Sequence, residues 1–108
     1  MDIDHWRHEI DELDEELLRL LNMRARLAMK VGSLKRSAGL PLRDHEREQF
    51  VLRHLQDLNN GPLDQKAVIR LFRRIIYESR RIESVMADHS NPTAVTSVNT
   101  ATKLRGIA

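Results

Sequence analysis

The feature that most constrains this chain is an uninterrupted apolar repeat close to its N-terminus. Residues 4–38 contain no proline and a single glycine, Gly32. Apolar residues recur along this stretch at intervals of three and four, with one longer gap: Ile3, Trp6, Ile10, Leu13, Leu17, Leu20, Leu27, Val31 and Leu34. Such spacing is the repeat of one face of an α-helix. The sequence therefore predicts one long amphipathic helix from Asp4 to about Ala38.

The length of this helix favours self-association. A helix of that size spans about 50 Å at about 1.5 Å per residue, whereas a compact domain of about 100 residues has a radius of gyration near 13 Å. The chain has 108 residues, which leaves room for one small domain and too little chain to cover the helix on every side. We therefore predict a homodimer.

Breaking residues divide the remaining chain into two shorter helices. Gly39 suits the left-handed position after a helix, and Pro41 cannot continue the helical hydrogen-bond ladder. A second helix is predicted near Arg43–Leu58, with an apolar face of Val51, Leu52 and Leu55. The run 59–62, Asn-Asn-Gly-Pro, ends it.

Asp64 is a predicted N-cap for a third helix that runs to about Ala87. Its predicted buried stripe consists of Val68, Leu71, Phe72, Ile75, Ile76, Ile82 and Met86. From residue 89 the composition changes to Ser, Thr, Asn, Val and Ala with Pro92. We therefore predict a folded domain over residues 1–88 and a polar tail or linker over 89–108.

Composition excludes several other classes of protein. Charged residues make up 31% and aromatic residues 4%, which is typical of helical bundles and not of β-sandwiches. There is no cysteine, and the five histidines lack the paired spacing of metal ligands. No apolar run approaches the ~20 residues of a membrane span, and no signal peptide is recognisable. An all-α, cytoplasmic domain without a metal site is predicted.

Cationic residues interrupt the apolar face of the first helix. Arg24 takes the place of an apolar residue between Leu20 and Leu27, and Lys35 lies about three turns later, nearly in line with it. Taken alone, Arg24 is better explained as a structural ion pair or a snorkelling side chain. Two aligned cations on one edge instead favour a site for an anion.

The other two helices carry polar residues in matching positions. Ser79 and Glu83 share a helical face with Phe72 and Ile76, while Asp44, Arg47 and Glu48 begin the second helix. Each has an ordinary structural explanation, such as a helix cap or a hydroxyl bonded to its own backbone. Together they indicate a pocket with cations, acceptors and hydroxyls, suited to a small polar anion.

The ordered set of these motifs resembles the all-helical chorismate mutase family over residues 5–87. The motifs are Ile10-Asp-Glu-Leu-Asp through Arg24, Val31-Gly-Ser-Leu-Lys35, Pro41-Leu-Arg-Asp-His-Glu-Arg-Glu48 and Ser79 followed by Glu83. The resemblance implies a three-helix protomer with a long first helix, intertwined with a second copy as a homodimeric bundle. It also implies a cofactor-free Claisen rearrangement of chorismate to prephenate in aromatic amino acid biosynthesis.

The resemblance also implies roles for the cationic residues. Arg24 and Arg7 match the arginines that grip the two carboxylates of the substrate, and Lys35 matches the lysine beside its ether oxygen. Arg47 matches a supporting arginine. Arg7 lies about 25 Å before Arg24 on the same helix, so the two side chains cannot reach one small ligand from one chain. Arg7 is therefore predicted to serve the pocket of an antiparallel partner.

Four further residues match positions that bind the uncharged parts of the substrate or assist the reaction. Glu48 and Asp44 match acceptors for the ring hydroxyl, and Ser79 matches a hydroxyl near a carboxylate. Glu83 matches the second group at the ether oxygen, where several family members carry glutamine. Only a protonated glutamate can donate a hydrogen bond there. Burial would favour the protonated form and Lys35 the anion, so the sequence leaves the outcome open.

Other functions remain compatible with the sequence. Isochorismate-pyruvate lyases resemble the mutases in fold and in their cationic pocket, and a non-catalytic domain that senses a metabolite would need the same pocket. The predicted third helix carries five arginines, Arg70, Arg73, Arg74, Arg80 and Arg81. Nucleic-acid binding by them is disfavoured, because such runs of charge usually form a solvated face. The end of the chain, Leu104–Ala108, fits either a natural terminus or a junction with another enzyme of aromatic biosynthesis.

Overall fold

The computed structural model describes residues 2–89, and side chains within that range as far as residue 85. Three helices make up this part of the chain: α1 (Ile3–Ala38), α2 (His45–Leu58) and α3 (Gln65–His89). Residues 2–89 contain no strand. The all-α, three-helix prediction is confirmed. The predicted tail, including Leu104–Ala108, lies outside the described residues, as does the side chain of Met86.

Both ends of α1 are capped, the C-terminal end by Gly39 as the sequence predicts and the N-terminal end by Asp2, which the sequence analysis did not select. Oδ1 of Asp2 accepts a hydrogen bond from the backbone N of His5 at 3.0 Å, which satisfies one free amide of the first turn. Gly39 adopts the left-handed conformation with φ 70°. The backbone N of Leu40 then bonds to the carbonyl of Lys35 at 2.8 Å and ends the helix.

Two aspartates begin the shorter helices. Oδ1 of Asp44 accepts from the backbone N of Arg47 at 3.0 Å, so α2 begins at His45 and not at Arg43. Oδ1 of Asp64 accepts from the backbone N of Ala67 at 2.7 Å, as predicted for an N-cap. Helix α3 then continues two residues beyond Ala87, the predicted end.

Helix α3 is the central element, because it packs against both α1 and α2. Among residues 2–85, the buried apolar residues are Leu52 from α2 and Val68 and Ile76 from α3. Leu71, predicted to belong to the buried stripe of α3, is 52% exposed. It was placed wrongly because it lies at the edge of the stripe, on a side of α3 that neither α1 nor α2 covers within one protomer.

The N-terminal half of α1 extends beyond the other two helices. Every residue from 2 to 20 is exposed, and the protomer measures 55 × 31 × 20 Å. Its apolar stripe is therefore open to solvent, with Trp6 at 54% and Leu13 at 67% exposure. Exposed apolar faces of this length are typical of surfaces at which proteins associate. None of the helices within residues 2–89 has the length and apolarity of a membrane span.

Candidate active site

A cavity of about 300 Å³ lies where the three helices meet. Its walls contain apolar residues of α1 and α3, such as Leu27 and Ile76, and polar side chains from all three helices. Seven of the eight site residues predicted from the sequence line it: Arg24, Lys35, Asp44, Arg47, Glu48, Ser79 and Glu83. The polar residues that interrupt the three apolar faces therefore converge on one place.

Arg24 and Ser79 form a direct link between α1 and α3. Nη1 of Arg24 donates to Oγ of Ser79 at 2.7 Å, and Oγ of Ser79 donates to the carbonyl of Ile75 at 3.0 Å. Burial lowers the pKa of Arg24, and Arg47 lowers it further, while Glu83 acts in the opposite direction. Since arginine remains charged in proteins, Ser79 holds a fixed cation at the cavity wall.

Lys35 is anchored by the segment between α1 and α2. Its Nζ donates to the carbonyl of Leu42 at 2.8 Å, and the residue is half-buried. An ammonium group has three donors, so one is used by this bond and two remain for a ligand. The anchor fixes the position of the charge at the cavity wall.

Glu83 is the most buried ionisable residue among those described, with 6% exposure. Its Oε2 is buried and has no hydrogen-bond partner within the described part of the chain. Burial raises the pKa of Glu83 above its ordinary value, although Lys35, Arg36, Arg24 and Arg80 each lower it. The direction that the sequence left open is thus upward, because burial outweighs the opposing effect of the four cations on the pKa of Glu83.

Gly32 allows α1 and α3 to approach closely at Glu83. It is the one buried residue of α1, and a Cβ at this position would lie 2.9 Å from Cγ of Glu83. A larger residue would have to displace the Glu83 side chain. The glycine of the Val31-Gly-Ser-Leu-Lys35 motif therefore positions a residue on another helix.

The α2 side of the cavity is more open. Asp44 and Arg47 are exposed, and the guanidinium of Arg47 lies 5.3 Å from the ring centre of Phe50. The Glu48 side chain is only 16% exposed. Its Oε2 lies 3.1 Å from Nε of Arg80, and its Oε1 lies 3.6 Å from Nη2 of Arg43. Glu48 is thus the enclosed acceptor on this side, while Asp44 also serves as the cap of α2.

Arg80 is a cavity residue that the sequence analysis did not select. It is one of the five arginines of this helix, a run of charge that is typical of a solvated face, although the spacing of Arg80 indicates otherwise. Arg80 lies four residues after Ile76 and three before Glu83, both of which are buried. Residues at those intervals share one helical face, so Arg80 belongs to the inward face.

Arg7 lies outside the cavity of its own protomer. Its side chain is 70% exposed, and its Nη1 is 3.7 Å from Oδ1 of Asp4 near the start of α1. This position agrees with the distance argued from the helical rise. Its role in a partner's cavity stays a prediction.

The profile of the family described as chorismate mutase type II matches residues 6–84. The chain is 49% identical over 77 residues to the bifunctional chorismate mutase/prephenate dehydratase of Neisseria gonorrhoeae, covering 71% of this chain and 21% of that protein. It is 30% identical over 78 residues to the chorismate mutase of Methanocaldococcus jannaschii, covering 71% of this chain and 79% of that protein. The chain thus spans about a fifth of the bifunctional relative.

The fold is also similar to solved structures. Form II of the chorismate mutase from Thermus thermophilus has a TM-score of 0.75 and 36% identity, covering 76% of this chain and 93% of that chain. Form I has a TM-score of 0.70 and 38% identity, covering 71% of this chain and 96% of that chain. The profile match spans most of the chain and includes every residue that lines the cavity. The chain therefore belongs to the chorismate mutase type II family.

Proposed function

We propose that this chain catalyses the rearrangement of chorismate to prephenate in the cavity between its three helices. The observation that carries the proposal is the convergence of four cationic side chains on a space of about 300 Å³: Arg24, Lys35, Arg47 and Arg80. Chorismate carries two carboxylates, and such groups are bound well by fixed guanidinium and ammonium groups. The charge of the cavity therefore suits this substrate.

The charge balance depends on Glu83. Three carboxyl groups line the cavity, those of Asp44, Glu48 and Glu83. The raised pKa of Glu83 extends its neutral form to higher pH, and in that form four cations face two carboxylates. The resulting excess of two positive charges complements the two negative charges of the substrate. Ionisation of Glu83 would reduce that excess by half.

The reaction needs no nucleophile. The ether carbon–oxygen bond breaks while a carbon–carbon bond forms within the same molecule, so no atom enters or leaves. The protein has to hold the folded conformer and stabilise negative charge that develops on the ether oxygen. We assign the two donors at that oxygen to Nζ of Lys35 and to the carboxyl group of Glu83.

The remaining cavity residues are proposed to bind and orient the substrate. Arg24, held by Ser79 at 2.7 Å, binds one carboxylate. Glu48, with Asp44 beside it, accepts a hydrogen bond from the ring hydroxyl. Arg47 supports this side of the site. Each assignment is supported by the position of the side chain at the cavity wall.

A homodimer would cover the exposed face of α1 and complete the site. The stretch 2–16 holds eight acidic residues and one basic residue, Arg7, whereas 24–36 holds five basic residues and no acidic one. Two antiparallel copies of α1 would therefore place unlike charges together. They would also bury the stripe that includes Trp6 and Leu13, and bring Arg7 of one copy to the cavity of the other.

Mixing two inactive variants tests the shared site. After subunit exchange between Arg7→Ala and Lys35→Ala proteins, a mixed dimer has one cavity with both residues intact. We expect roughly a quarter of the wild-type activity per chain, because random exchange makes half of the dimers mixed and each has one intact site. Mass spectrometry would verify the exchange. Verified exchange without recovered activity would contradict the assignment of Arg7.

Identification of the product tests the proposed function itself. The purified chain is incubated with chorismate and, separately, with isochorismate, and the products are resolved by chromatography. Prephenate from chorismate is the expected result. Salicylate and pyruvate from isochorismate would instead identify a lyase, and binding of chorismate without turnover would identify a metabolite sensor.

A further inference from the structure

Arg80 differs from its neighbouring arginines on α3 in the position of its side chain. Arg74 and Arg81 are 72% and 58% exposed, and both pair with Glu78 away from the cavity. The Arg80 side chain is 30% exposed and lines the cavity. It is therefore the arginine of this group that is placed to act on the site.

The partner of Arg80 is the enclosed carboxylate of Glu48. Nε of Arg80 lies 3.1 Å from Oε2 of Glu48, so the ion pair joins α3 to α2. Nε of Arg80 is buried and has no hydrogen-bond partner within the described part of the chain, so its contact with Glu48 is an ion pair. Arg43 approaches the other oxygen from 3.6 Å, but its side chain is 51% exposed. Arg80 is thus the closer and more buried of the two cations at Glu48.

We propose that Arg80 is a positioning residue, which holds the Glu48 carboxylate at the cavity wall so that it accepts a hydrogen bond from the substrate's ring hydroxyl. The inference rests on the proposed function and adds a determinant of substrate choice. A carboxylate that pairs with a guanidinium still has free lone pairs, because its two oxygens offer about four acceptor sites. Glu48 therefore has the capacity to bind Arg80 and a hydroxyl at the same time.

Fixing Glu48 before the substrate binds would improve selectivity. A free glutamate side chain loses rotamer freedom when a ligand immobilises it, and this loss weakens binding. The ion pair with Arg80 already restricts the Glu48 side chain in the folded protein, so less rotamer entropy is lost when the substrate binds. A site built to bind a hydroxyl also rejects an analogue without one, since a buried acceptor is then left unpaired. Arg80 should therefore affect the choice between two such substrates.

The test compares chorismate with its analogue that lacks the ring hydroxyl, using kcat and KM for each. Wild-type protein should prefer chorismate. In Arg80→Met we expect that preference, measured as the ratio of the two kcat/KM values, to fall about tenfold, with most of the change in KM. Both kcat/KM values are measured on the same preparation, so any unfolded fraction of the protein lowers them equally and leaves their ratio unchanged. Arg80→Lys should recover part of the preference because it keeps the charge.

Two further variants separate positioning from a general effect of charge. Arg81→Met removes the same charge from the next residue, outside the cavity, and should leave the preference unchanged. In a Glu48→Gln background, Arg80→Met should cause little additional loss, because Arg80 acts through Glu48.

The outcomes distinguish this inference from the proposed function. An active wild-type protein whose Arg80→Met variant keeps the full preference for chorismate would overturn the inference alone. Equal losses in Arg80→Met and Arg81→Met, or additive losses with Glu48→Gln, would also overturn it. A wild-type protein that does not convert chorismate would overturn the proposed function, and the inference with it.

Discussion

Replacement of Lys35 by alanine is expected to lower chorismate turnover roughly 10²–10³-fold, the cost of removing one donor to a developing oxyanion in other enzymes. The ammonium group is anchored to the carbonyl of Leu42 at 2.8 Å and lines the cavity. Its charge is therefore positioned before the reaction begins. The effect should fall mainly on kcat, because the negative charge on the ether oxygen develops in the transition state.

Steady-state kinetics and thermal unfolding of the same preparations check this prediction. Loss of the bond to Leu42 should cost only about 1 kcal/mol of stability. Lys30→Ala is the matched control, since Lys30 lies five residues earlier on α1, is exposed and does not line the cavity. A folded Lys35→Ala protein with the turnover of Lys30→Ala would contradict the assignment of Lys35.

Activity is expected to fall as the pH rises through the pKa of Glu83, and Glu83→Gln should remove this dependence. Burial raises the pKa of Glu83 against the opposing effect of four nearby cations. Below that pKa the acid donates to the ether oxygen, and above it the carboxylate repels the same oxygen. Glutamine keeps a donor at nearly the same size and cannot ionise. The variant should therefore be the more active protein at high pH.

Stability provides a second measurement of the same ionisation. The pKa of Glu83 is higher in the folded protein than in the unfolded chain, so the folded state binds this proton more tightly. Its contribution to stability is present below the pKa of the unfolded chain and is lost as the pH rises through the pKa of the folded protein. The free energy of unfolding of Glu83→Gln, relative to that of the wild-type protein, should therefore increase as the pH rises over this range. Turnover and denaturant unfolding would be followed from about pH 5 to 9.

Glu78→Gln is the control for the Glu83 experiments. Glu78 lies five residues earlier on α3, and its hydrogen bond to Arg81 lowers the pKa of its carboxyl group. Its substitution should leave the pH profile of turnover in the range above pH 5 unchanged. A Glu83→Gln protein with an unchanged pH profile would reject the role of Glu83 as donor.

Local patterns in the sequence determined the helices and most of the site. The apolar repeat of α1 and the capping residues Gly39 and Asp64 act within a few residues of chain, so their effects are readable without tertiary contacts. The inward positions of Arg24, Ser79 and Glu83 follow from the same periodicity. A polar residue in an apolar register must find a partner in the interior, which is why these residues converge.

Only the tertiary structure decided three other properties. The spacing of Arg80 places it on the inward face of α3, but its ion pair with Glu48 at 3.1 Å depends on where α2 lies. Leu71 fits the apolar repeat of α3, yet it lies where no helix of the same protomer covers it. The direction of the pKa shift of Glu83 depends on whether burial outweighs four cations from α1 and α3. Desolvation and the reach of long side chains depend on neighbours distant in sequence, so periodicity alone cannot determine them.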